Sequence, residues 1–443
     1  MFKRVIIVVI LFFAITLAEA QFAPAAELEK IESRSPYSLT GYSAEDYSGI
    51  TYIDGTRYAV VTDKKDGFYI FNISVSSTGS IASVSRGEYY GDGSWKNSEG
   101  IVYHPERNTV FIAIEGLNSL LEYNMNGSQT GNWLTIPNTL RNVDDGNQTF
   151  ESLAYHQNTG LFWTTTESTL TIDGSHASNT NKIANLLRLQ SFDESLQPKA
   201  QYAYKTDLPE CTLSAVSVYA IGVAEMTALP DGRLLVLERE FAGGKFSVDL
   251  MDSFVKIKIY LVDPRHGTDI SHVQDLRTIA ANLFLQKTKL FELKTTLGAS
   301  NLANYEGMCL GPKLGTGKYA LLLINDAQSD DAFGVKGLLK EYILPLVISG
   351  IGDAYNAIPE ISAAPLSAYP NPFGDVLYVA VPDGNQPIVS LTVTDLNGRI
   401  LRQIHNPVPG TVTLDTGSWE RGFYLLRTVA ADGTALVQKV VKN

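Results

Sequence analysis

Five segments of the chain repeat one pattern, and this repeat constrains the fold more than any other feature of the sequence. In each segment an acidic residue opens a short apolar run, turn-forming residues follow, and a second apolar run ends at another acidic residue. The paired acids are Asp46 and Asp63, Glu99 and Glu115, Glu151 and Glu167, Glu225 and Glu238, and Glu306 and Asp326. Two β-rich runs on either side of turn residues are typical of a β-hairpin. The repeat therefore predicts five hairpins, each with an acid at both ends.

The turn-forming residues stand midway between the paired acids. They are Asp54-Gly55, Arg107-Asn108, Asn158-Thr159-Gly160, Asp231-Gly232 and Gly315-Thr316-Gly317. A hairpin folded about such a midpoint places its two acids opposite each other, with Cβ atoms about 5 Å apart. Like charges so placed destabilise a hairpin, so the pattern predicts a cation, a basic neighbour or a shared proton at each pair.

The spacing of the hairpins is typical of a β-propeller. Successive opening acids lie 53, 52, 74 and 81 residues apart, and a propeller blade takes about 40–50 residues before insertions are counted. Strand-like runs such as 67–73 and 256–262 follow the hairpins, which suits four-stranded blades. We therefore predict an all-β chain with a five- or six-bladed β-propeller, where an irregular sixth blade would lie in the two long intervals.

One acidic pair per blade predicts a ring of acids at one mouth of the propeller, because the innermost strand of each blade lines the central channel. A simpler interpretation is that Asp and Glu only flank strands at solvent-facing turns, since 47 of the 443 residues are acidic. The net charge of −12 argues against nucleic acid and anionic membrane surfaces as partners, because both require basic patches.

The N-terminus has the three parts of a secretory signal peptide. Lys3 and Arg4 precede the apolar run 5–17, and Ala18-Glu19-Ala20 forms a small-residue cleavage site. We therefore predict a signal peptide over residues 1–20 and a mature chain that begins at Gln21. No transmembrane segment is expected after signal cleavage, because charged residues interrupt the one later apolar stretch, 338–351.

The domain organisation follows from changes in composition. Residues 36–347 predict the propeller, the Ala/Gly/Pro/Ser-rich stretch 348–367 a linker, and residues 368–443 a small β-sandwich with hairpin turns at Asn397-Gly398 and Asp432-Gly433. A helix is expected over 276–289, where apolar residues have helical spacing.

The two cysteines leave two alternatives open. Cys211 and Cys309 are the only cysteines of the chain. An exported pair can form a disulfide, but a buried free thiol suits the strand that contains Cys309 equally well.

The tail resembles the type-A sorting domain of proteins exported by the type IX secretion system. The residues that carry the resemblance are Tyr369-Pro370-Asn371-Pro372-Phe373, Asp395-Leu396-Asn397-Gly398-Arg399, Gly422-Phe423-Tyr424-Leu425-Leu426 and Lys439-Val440-Val441-Lys442. The resemblance implies passage through the periplasm and recognition of residues 368–443 by the secretion machinery at the outer membrane. The tail would be cleaved on export, and the protein would be extracellular or attached to the cell surface.

The larger part of the chain resembles the family described as having the esterase-like activity of phytase. The residues that carry this resemblance are Ser48-Gly49-Ile50, Ser98-Glu99-Gly100-Ile101, Phe150-Glu151-Ser152-Leu153-Ala154, Thr165-Thr166-Glu167-Ser168, Ala224-Glu225-Met226, Leu229-Pro230-Asp231-Gly232-Arg233-Leu234-Leu235-Val236-Leu237-Glu238-Arg239 and Asn304-Tyr305-Glu306-Gly307-Met308. The resemblance implies a propeller, and the name of the family implies hydrolysis of phosphate esters.

The candidate site residues follow from this ring and this resemblance. Hard cations such as Ca²⁺ take six to eight oxygen ligands, mainly from carboxylates. The predicted Ca²⁺ ligands are Asp46, Asp63, Glu99, Glu115, Glu151, Glu167, Glu306 and Asp326. Glu225, Glu238 and Arg239 are the predicted catalytic residues, with Arg239 placed to hold a phosphate. The alternative for Arg239 is an internal salt bridge to Glu238 or to an acid of a neighbouring blade.

Two functions are compatible with this sequence. The first is a divalent-cation-dependent phosphoesterase that acts on small phosphorylated molecules at the channel mouth. The second is a non-catalytic surface propeller that binds a ligand or partner and uses its carboxylates as structural clasps. A hydrolase is expected to keep an Arg or Lys unpaired beside the acids. A binding module is expected to spend its acids in salt bridges and to expose aromatic residues such as Tyr89, Tyr90 and Trp95.

Overall fold

The computed structural model divides the chain into two compact units, Met1–Asp353 and Ala354–Asn443. It describes residues 29–42, 45–94, 97–141, 149–245, 248–298, 301–315, 317–327, 339–351, 368–381, 388–395, 399–430 and 435–443. The predicted signal peptide, most of the predicted linker, Trp95 and both predicted turns of the tail lie outside these residues.

Four sheets of the first unit each consist of four consecutive antiparallel strands. Two short strands, β1 (Lys30–Ser33) and β2 (Tyr37–Ser38), precede them. Blade 1 contains β3 (Tyr47–Asp54), β4 (Arg57–Thr62), β5 (Lys65–Val75) and β6 (Ile81–Tyr90). Blade 2 contains β7 (Ser98–His104), β8 (Thr109–Ile114), β9 (Ser119–Asn124) and β10 (Gln129–Trp133). Blade 3 contains β11 (Ala154–His156), β12 (Leu161–Thr164), β13 (Leu186–Phe192) and β14 (Pro198–Lys205). Blade 4 contains β15 (Val216–Ala228), β16 (Leu234–Gly244), β17 (Phe254–Val262) and β18 (Lys287–Thr296).

The fifth sheet is closed by the N-terminal strand. Blade 5 contains β19 (Asn304–Lys313), β20 (Tyr319–Asp326) and β21 (Tyr342–Ser349). Strand β1 pairs with β21, with Ile31 opposite Ile348, and so supplies the fourth strand of the blade. The propeller therefore extends beyond both predicted limits, 36 and 347, because its ring is closed by pairing its two ends.

The first strands of the five blades form a closed ring. Strand β3 contacts β7, β7 contacts β11, β11 contacts β15, β15 contacts β19, and β19 contacts β3. These five blades, with β2 paired to β21 in blade 5, account for all strands of the first unit among the described residues. The predicted propeller is confirmed, and the long intervals hold extended strands and short 3₁₀ segments where a sixth blade was considered. The five predicted hairpin turns lie between the first two strands of each blade.

Close approach of the inner strands is possible because glycines stand at the contact points. A Cβ atom on Gly49 would lie 2.2 Å from the carbonyl oxygen of Glu99, and one on Gly100 would lie 2.6 Å from that of Glu151. Both distances are far shorter than any real contact. The blades are joined further out by apolar side chains, such as Val61 and Phe68 of blade 1 against Ile112 of blade 2.

The segment predicted as a helix, 276–289, is not helical. It contains two 3₁₀ turns, Leu276–Thr278 and Ala281–Leu283, and then enters β18 at Lys287. The prediction was wrong because tertiary contacts decide the conformation here. Residues from Lys287 onward complete blade 4 by pairing with β17, and the N–H of Leu276 donates to Oδ1 of Asp173 in blade 3.

The remaining 3₁₀ segments are equally short, and the two cysteines are not joined. The segments are Glu115–Leu117, Asn138–Leu140, Thr171–Asp173, Leu250–Asp252 and Pro264–His266. Cys211 and Cys309 are both buried free thiols.

The second unit contains two antiparallel sheets, which agrees with the predicted sandwich. One sheet contains β22 (Ala368–Tyr369), β23 (Val376–Val381) and β26 (Gly410–Asp415), in that order. The other contains β25 (Ile400–His405), β24 (Ile388–Asp395), β27 (Gly422–Ala430) and β28 (Ala435–Lys442). A core of apolar residues, including Phe373, Leu377, Leu391 and Leu426, lies between the sheets.

The first and last motifs of this unit are in direct contact. Oδ1 of Asn371 accepts a hydrogen bond from the N–H of Val441 at 2.8 Å. Nζ of Lys442, which is buried, donates to the carbonyl oxygens of Gly374 at 2.8 Å and Thr416 at 2.9 Å. The segment that opens the domain is therefore held by the strand that ends the chain.

A buried ion pair in blade 3 gives the fold its clearest stability test. Nε and Nη2 of Arg188 each donate to Asp173 at 2.7 Å, and both side chains are fully buried. We predict that Asp173→Asn lowers the free energy of unfolding by about 3–5 kcal/mol, because it leaves a buried guanidinium without its counter-charge. Urea unfolding measures the change. The matched control is Asp54→Asn in the exposed pair with Arg57, for which we expect about 0.2–1 kcal/mol. Equal losses in the two variants would contradict the prediction.

Candidate functional site

A cavity of about 210 Å³ lies at the end of the channel where the inner strands begin. We call it the acidic mouth. Seven carboxylates, one guanidinium and three apolar side chains line it. They are Asp63, Glu99, Glu115, Glu151, Glu167, Glu306 and Asp326, then Arg239, then Val218, Ala220 and Phe241. The predicted ring of acids therefore exists, with a membership that differs in part from the prediction.

The acids of a pair are not directly opposite each other, because the first strand bulges at the mouth. In blade 2 the N–H of Glu115 donates to the carbonyl oxygen of Asn97 at 3.0 Å, and the register shifts between Ser98 and Ile101. Glu99 follows Ser98 and falls within this bulge. Blade 5 shows the same arrangement, with Asp326 opposite Asn304 and a bulge that holds Glu306. In these two blades the bulge therefore staggers the two carboxylates of the hairpin.

Blade 4 departs from the pattern by one residue. Its bulge lies between Val223 and Glu225. The last pair before Val223 on the mouth side joins Gly222 to Arg239. Arg239 therefore occupies the position that Glu115 has in blade 2. The equivalent of Glu99 is Ala224, so the prediction that Glu225 joins the ring is wrong.

Glu225 and Glu238 instead hold backbone and side-chain donors away from the mouth. Oε1 of Glu225 accepts from the N–H groups of Leu153 and Met226, both at 2.9 Å, and burial raises its pKa well above the ordinary value. Glu238 accepts from the hydroxyl of Tyr204 and from Nζ of Lys287, both at 2.6 Å. Neither carboxylate lines the cavity.

The first hairpin departs from the pattern by two residues. Asp46 is directly opposite Asp63, whose N–H donates to its carbonyl oxygen at 3.2 Å. The side chain of Asp46 pairs with Nζ of Lys64 at 2.6 Å and does not line the mouth. The ring position of blade 1 falls on Ser48, next to Gly49, so this blade contributes one carboxylate to the ring.

Arg239 connects two blades across the mouth. Its Nη2 lies 2.5 Å from Oε1 of Glu167 in blade 3, and its Nη1 donates to Oε1 of Glu306 in blade 5. Burial acts to lower the pKa of Arg239, but Glu306 and Glu167 outweigh it and raise that pKa above the ordinary value. The alternative of a salt bridge to a neighbouring blade is therefore what the structure shows.

Two carboxylates of the mouth form no hydrogen bond with any residue that the structure describes. Glu99 is only 8% exposed, and burial, together with the charges of Glu115 and Glu306, raises its pKa well above the ordinary value. Burial and Glu167 raise the pKa of Glu151 in the same way. Burial also raises the pKa of Glu306 to about 7, although Arg239 acts to lower it. Each of these three carboxyl groups therefore holds its proton to a higher pH than an exposed carboxyl group does, and a cation beside it would favour the ionised form.

The donor atoms suit a hard cation, but their arrangement does not form a finished metal site. Carboxylate oxygens are the preferred ligands of Ca²⁺. Nevertheless, no group of three or more His, Cys, Asp or Glu side chains in the described part of the chain is gathered to hold a metal ion. Direct coordination would need movement of these side chains or bridging water.

The other end of the channel is neutral. A cavity of about 320 Å³ there is lined by uncharged residues, among them Tyr52, Tyr103 and Tyr155. Of the aromatic residues considered for a binding patch, Tyr89 donates its hydroxyl to the carbonyl oxygen of Asp66, and Tyr90 stacks on Phe68. The described aromatic residues of that patch are therefore engaged within blade 1.

The sequence did not lead us to predict the apolar side of the acidic mouth. Val218, Ala220 and Phe241 come from the ends of β15 and β16, which extend past the ring position of blade 4. The signal for it was the length of this hairpin, since apolar residues continue well before Glu225 and after Glu238.

Two family models match the chain and cover most of it. The family described as "Esterase-like activity of phytase" matches residues 44–327. The family described as "Secretion system C-terminal sorting domain" matches residues 367–443. The second match confirms the type IX sorting domain, so the protein is exported to the cell surface or the extracellular space. No helix within the described residues combines the length and the apolar character needed to span a bilayer.

Solved structures with low similarity include enzymes of several kinds. Streptogramin B lyase is 12% identical, covers 72% of this chain and 98% of its own, and has a TM-score of 0.29. The PQQ-bound aldose sugar dehydrogenase of Streptomyces coelicolor is 10% identical and has a TM-score of 0.33; the match covers 74% of this chain and 100% of the dehydrogenase. A gluconolactonase of Xanthomonas campestris is 8% identical and has a TM-score of 0.30; the match covers 73% of this chain and 98% of the gluconolactonase. Scores this low carry no argument about function. The comparison with curated proteins found no match.

The raised pKa values of the mouth predict how stability depends on pH. The carboxyl group of Glu306 has a pKa of about 7 in the folded protein, against an ordinary value of 4.5. Between these two pH values the folded protein keeps a proton that the unfolded chain has lost. The free energy of unfolding should therefore fall as pH rises from 4.5 to 7. In the double variant Glu99→Gln, Glu151→Gln this fall should be smaller by roughly 1 kcal/mol or more, because the amides do not titrate. Urea unfolding in chelator at each pH measures it, and equal slopes in both proteins would refute the prediction.

Proposed function

The chain belongs to the family described as the esterase-like activity of phytase, and we propose that its propeller is an exported binding module that captures positively charged ligands at the acidic mouth. The observation that carries this proposal is the charge of the mouth. Seven carboxylates and one guanidinium line it, which leaves an excess of six negative charges when all are ionised. A cleft lined by one sign of charge focuses the field and raises the local concentration of counter-ions.

The unsatisfied carboxylates support capture over a purely structural role. A clasp would hold its acids in ion pairs, as Arg239 holds Glu167 and Glu306. Glu99 and Glu151 have no such partner in the described residues, although burial of a charged group without a partner is costly. A bound cation would supply the missing partner for both.

The same charge disfavours direct binding of a phosphate. Arg239 is the one cationic side chain that lines the mouth among the described residues, and both of its terminal nitrogens are engaged by carboxylates. The nearby Lys64 and Lys65 pair with Asp46 and Glu45. An anionic ligand would therefore meet repulsion without a fixed positive charge to receive it.

Capture of cations predicts a gain in thermal stability. We expect at least one of calcium, magnesium and 1,5-diaminopentane to raise Tm more than NaCl of equal ionic strength, because a ligand of the folded state stabilises it by about 2.7 kcal/mol at a hundredfold excess over Kd. The variant Glu99→Gln, Glu151→Gln should lose this response.

The matched control for this experiment is Glu106→Gln, which removes one exposed charge outside the mouth and should respond as the unmodified protein does. If no cation of the panel exceeds NaCl, the proposed function is rejected.

A second candidate is a divalent-cation-dependent phosphoesterase, favoured by the hard oxygen donors of the mouth and by the description of the family. Asp63, Glu99, Glu115 and Asp326 would hold the ion, which would neutralise a phosphate and acidify a water molecule. Arg239 would then orient the substrate only after its ion pair with Glu167 or Glu306 had broken.

This second candidate predicts activity that depends on metal. Small phosphate esters, including inositol phosphates, should release inorganic phosphate in calcium, and chelator should abolish the release. Arg239→Lys should lower the rate by about tenfold or more, because lysine cannot bind two oxygens with a planar fork. Elemental analysis of the purified protein should find the metal. Absence of phosphate release in calcium leaves binding as the function.

A further inference from the structure

The geometry of the acidic mouth points to the class of cation that it takes. We infer that the mouth binds an organic cation, a primary ammonium group on a short alkyl chain such as a diamine or a lysine side chain, in preference to a metal ion. This inference rests on the proposed capture of cations and names the ligand class.

The first support is the organic cation that the mouth already holds. The guanidinium of Arg239 lies between Glu167 of blade 3 and Glu306 of blade 5 and contacts both. Acids on blades that are not neighbours are therefore spaced to receive a nitrogen-bearing group between them. The rest of the ring repeats these positions, with Glu99 equivalent to Glu306 and Glu115 equivalent to Glu167.

The second support is the spread of the carboxylates. A metal ion needs several ligand atoms around one point, and no three candidate ligands in the described residues are gathered in that way. An ammonium group has three N–H donors and is therefore satisfied by fewer oxygen acceptors than the six to eight that Ca²⁺ takes. A diamine would extend this to acids on more than one side of the mouth.

The third support is an acceptor that the protein leaves unused. The carboxylate of Glu99 lines the cavity, is more than nine-tenths buried, and accepts no hydrogen bond from the described residues. Glu151, its counterpart in blade 3, also lacks a described hydrogen-bond partner. These two acceptors stand in adjacent blades and line the same cavity.

The fourth support is the apolar side of the same cavity. Val218, Ala220 and Phe241 extend past the ring on blade 4. A hydrated metal ion gains nothing from such a surface, whereas the methylene groups of an alkyl chain are driven onto it. Aromatic rings also attract ammonium groups over their faces. A cavity of about 210 Å³ suits a small ligand of this kind.

Calorimetry on the intact protein separates the two cations. We expect 1,5-diaminopentane to bind about tenfold or more tightly than calcium chloride at pH 7, and the neutral isostere 1,5-pentanediol not to bind. Val218→Ser should weaken the diamine and leave calcium unchanged, because only the alkyl chain uses the apolar side. The variant Glu99→Gln, Glu151→Gln should weaken both, and circular dichroism confirms that each variant is folded.

The outcomes distinguish the inference from the function on which it rests. Calcium that binds more tightly than the diamine, or diamine binding that the Gln variants leave unchanged, overturns the inference while capture of cations stands. Failure of every cation to bind rejects both. A lysine derivative blocked at its α-amino and carboxyl groups identifies the source of the group: binding as tight as that of the diamine indicates a peptide side chain, and weaker binding indicates a free diamine.

Discussion

The close packing of five inner strands around one axis is the constraint on which the site depends. Gly49 and Gly100 allow these strands to approach within a distance that any Cβ atom would block. Because the strands begin at the same level, the side chains at their first positions are forced into a narrow mouth. The arrangement of the mouth is thus a consequence of ring closure, and β1 completes the last blade of that ring through its pairing with β21.

Within that mouth, Arg239 determines how the charge is distributed. It neutralises Glu167 and Glu306 on one side of the ring and leaves Glu99 and Glu151 without a counter-charge from the described residues. Burial, and after it the neighbouring negative charges, raises the pKa values of both groups. Glu99, Glu151 and the apolar extension of blade 4 line one cavity, so a ligand of the proposed kind would contact both carboxyl groups and hydrophobic surface.

Much of the fold could be predicted from the sequence, because turn residues and apolar runs specify hairpins locally. The five turns, the blades and the convergence of most of the acids were predicted in this way. The exact ring positions could not be, because a β-bulge shifts the register and no residue type marks it. Glu225 therefore missed the ring by one residue and Asp46 by two. The helix expected over 276–289 failed for a related reason, since pairing with β17 outweighed helical spacing.

Blade 4 also shows that the fold does not require an acid at the ring position. There the chain places Ala224 and Arg239 where blade 2 has Glu99 and Glu115, and the blade still closes against both of its neighbours. Acids that the fold can replace, and whose mutual repulsion and burial lower stability, are expected to persist for a role other than folding. The energetic cost of the ring is therefore itself an argument for the proposed capture of cations.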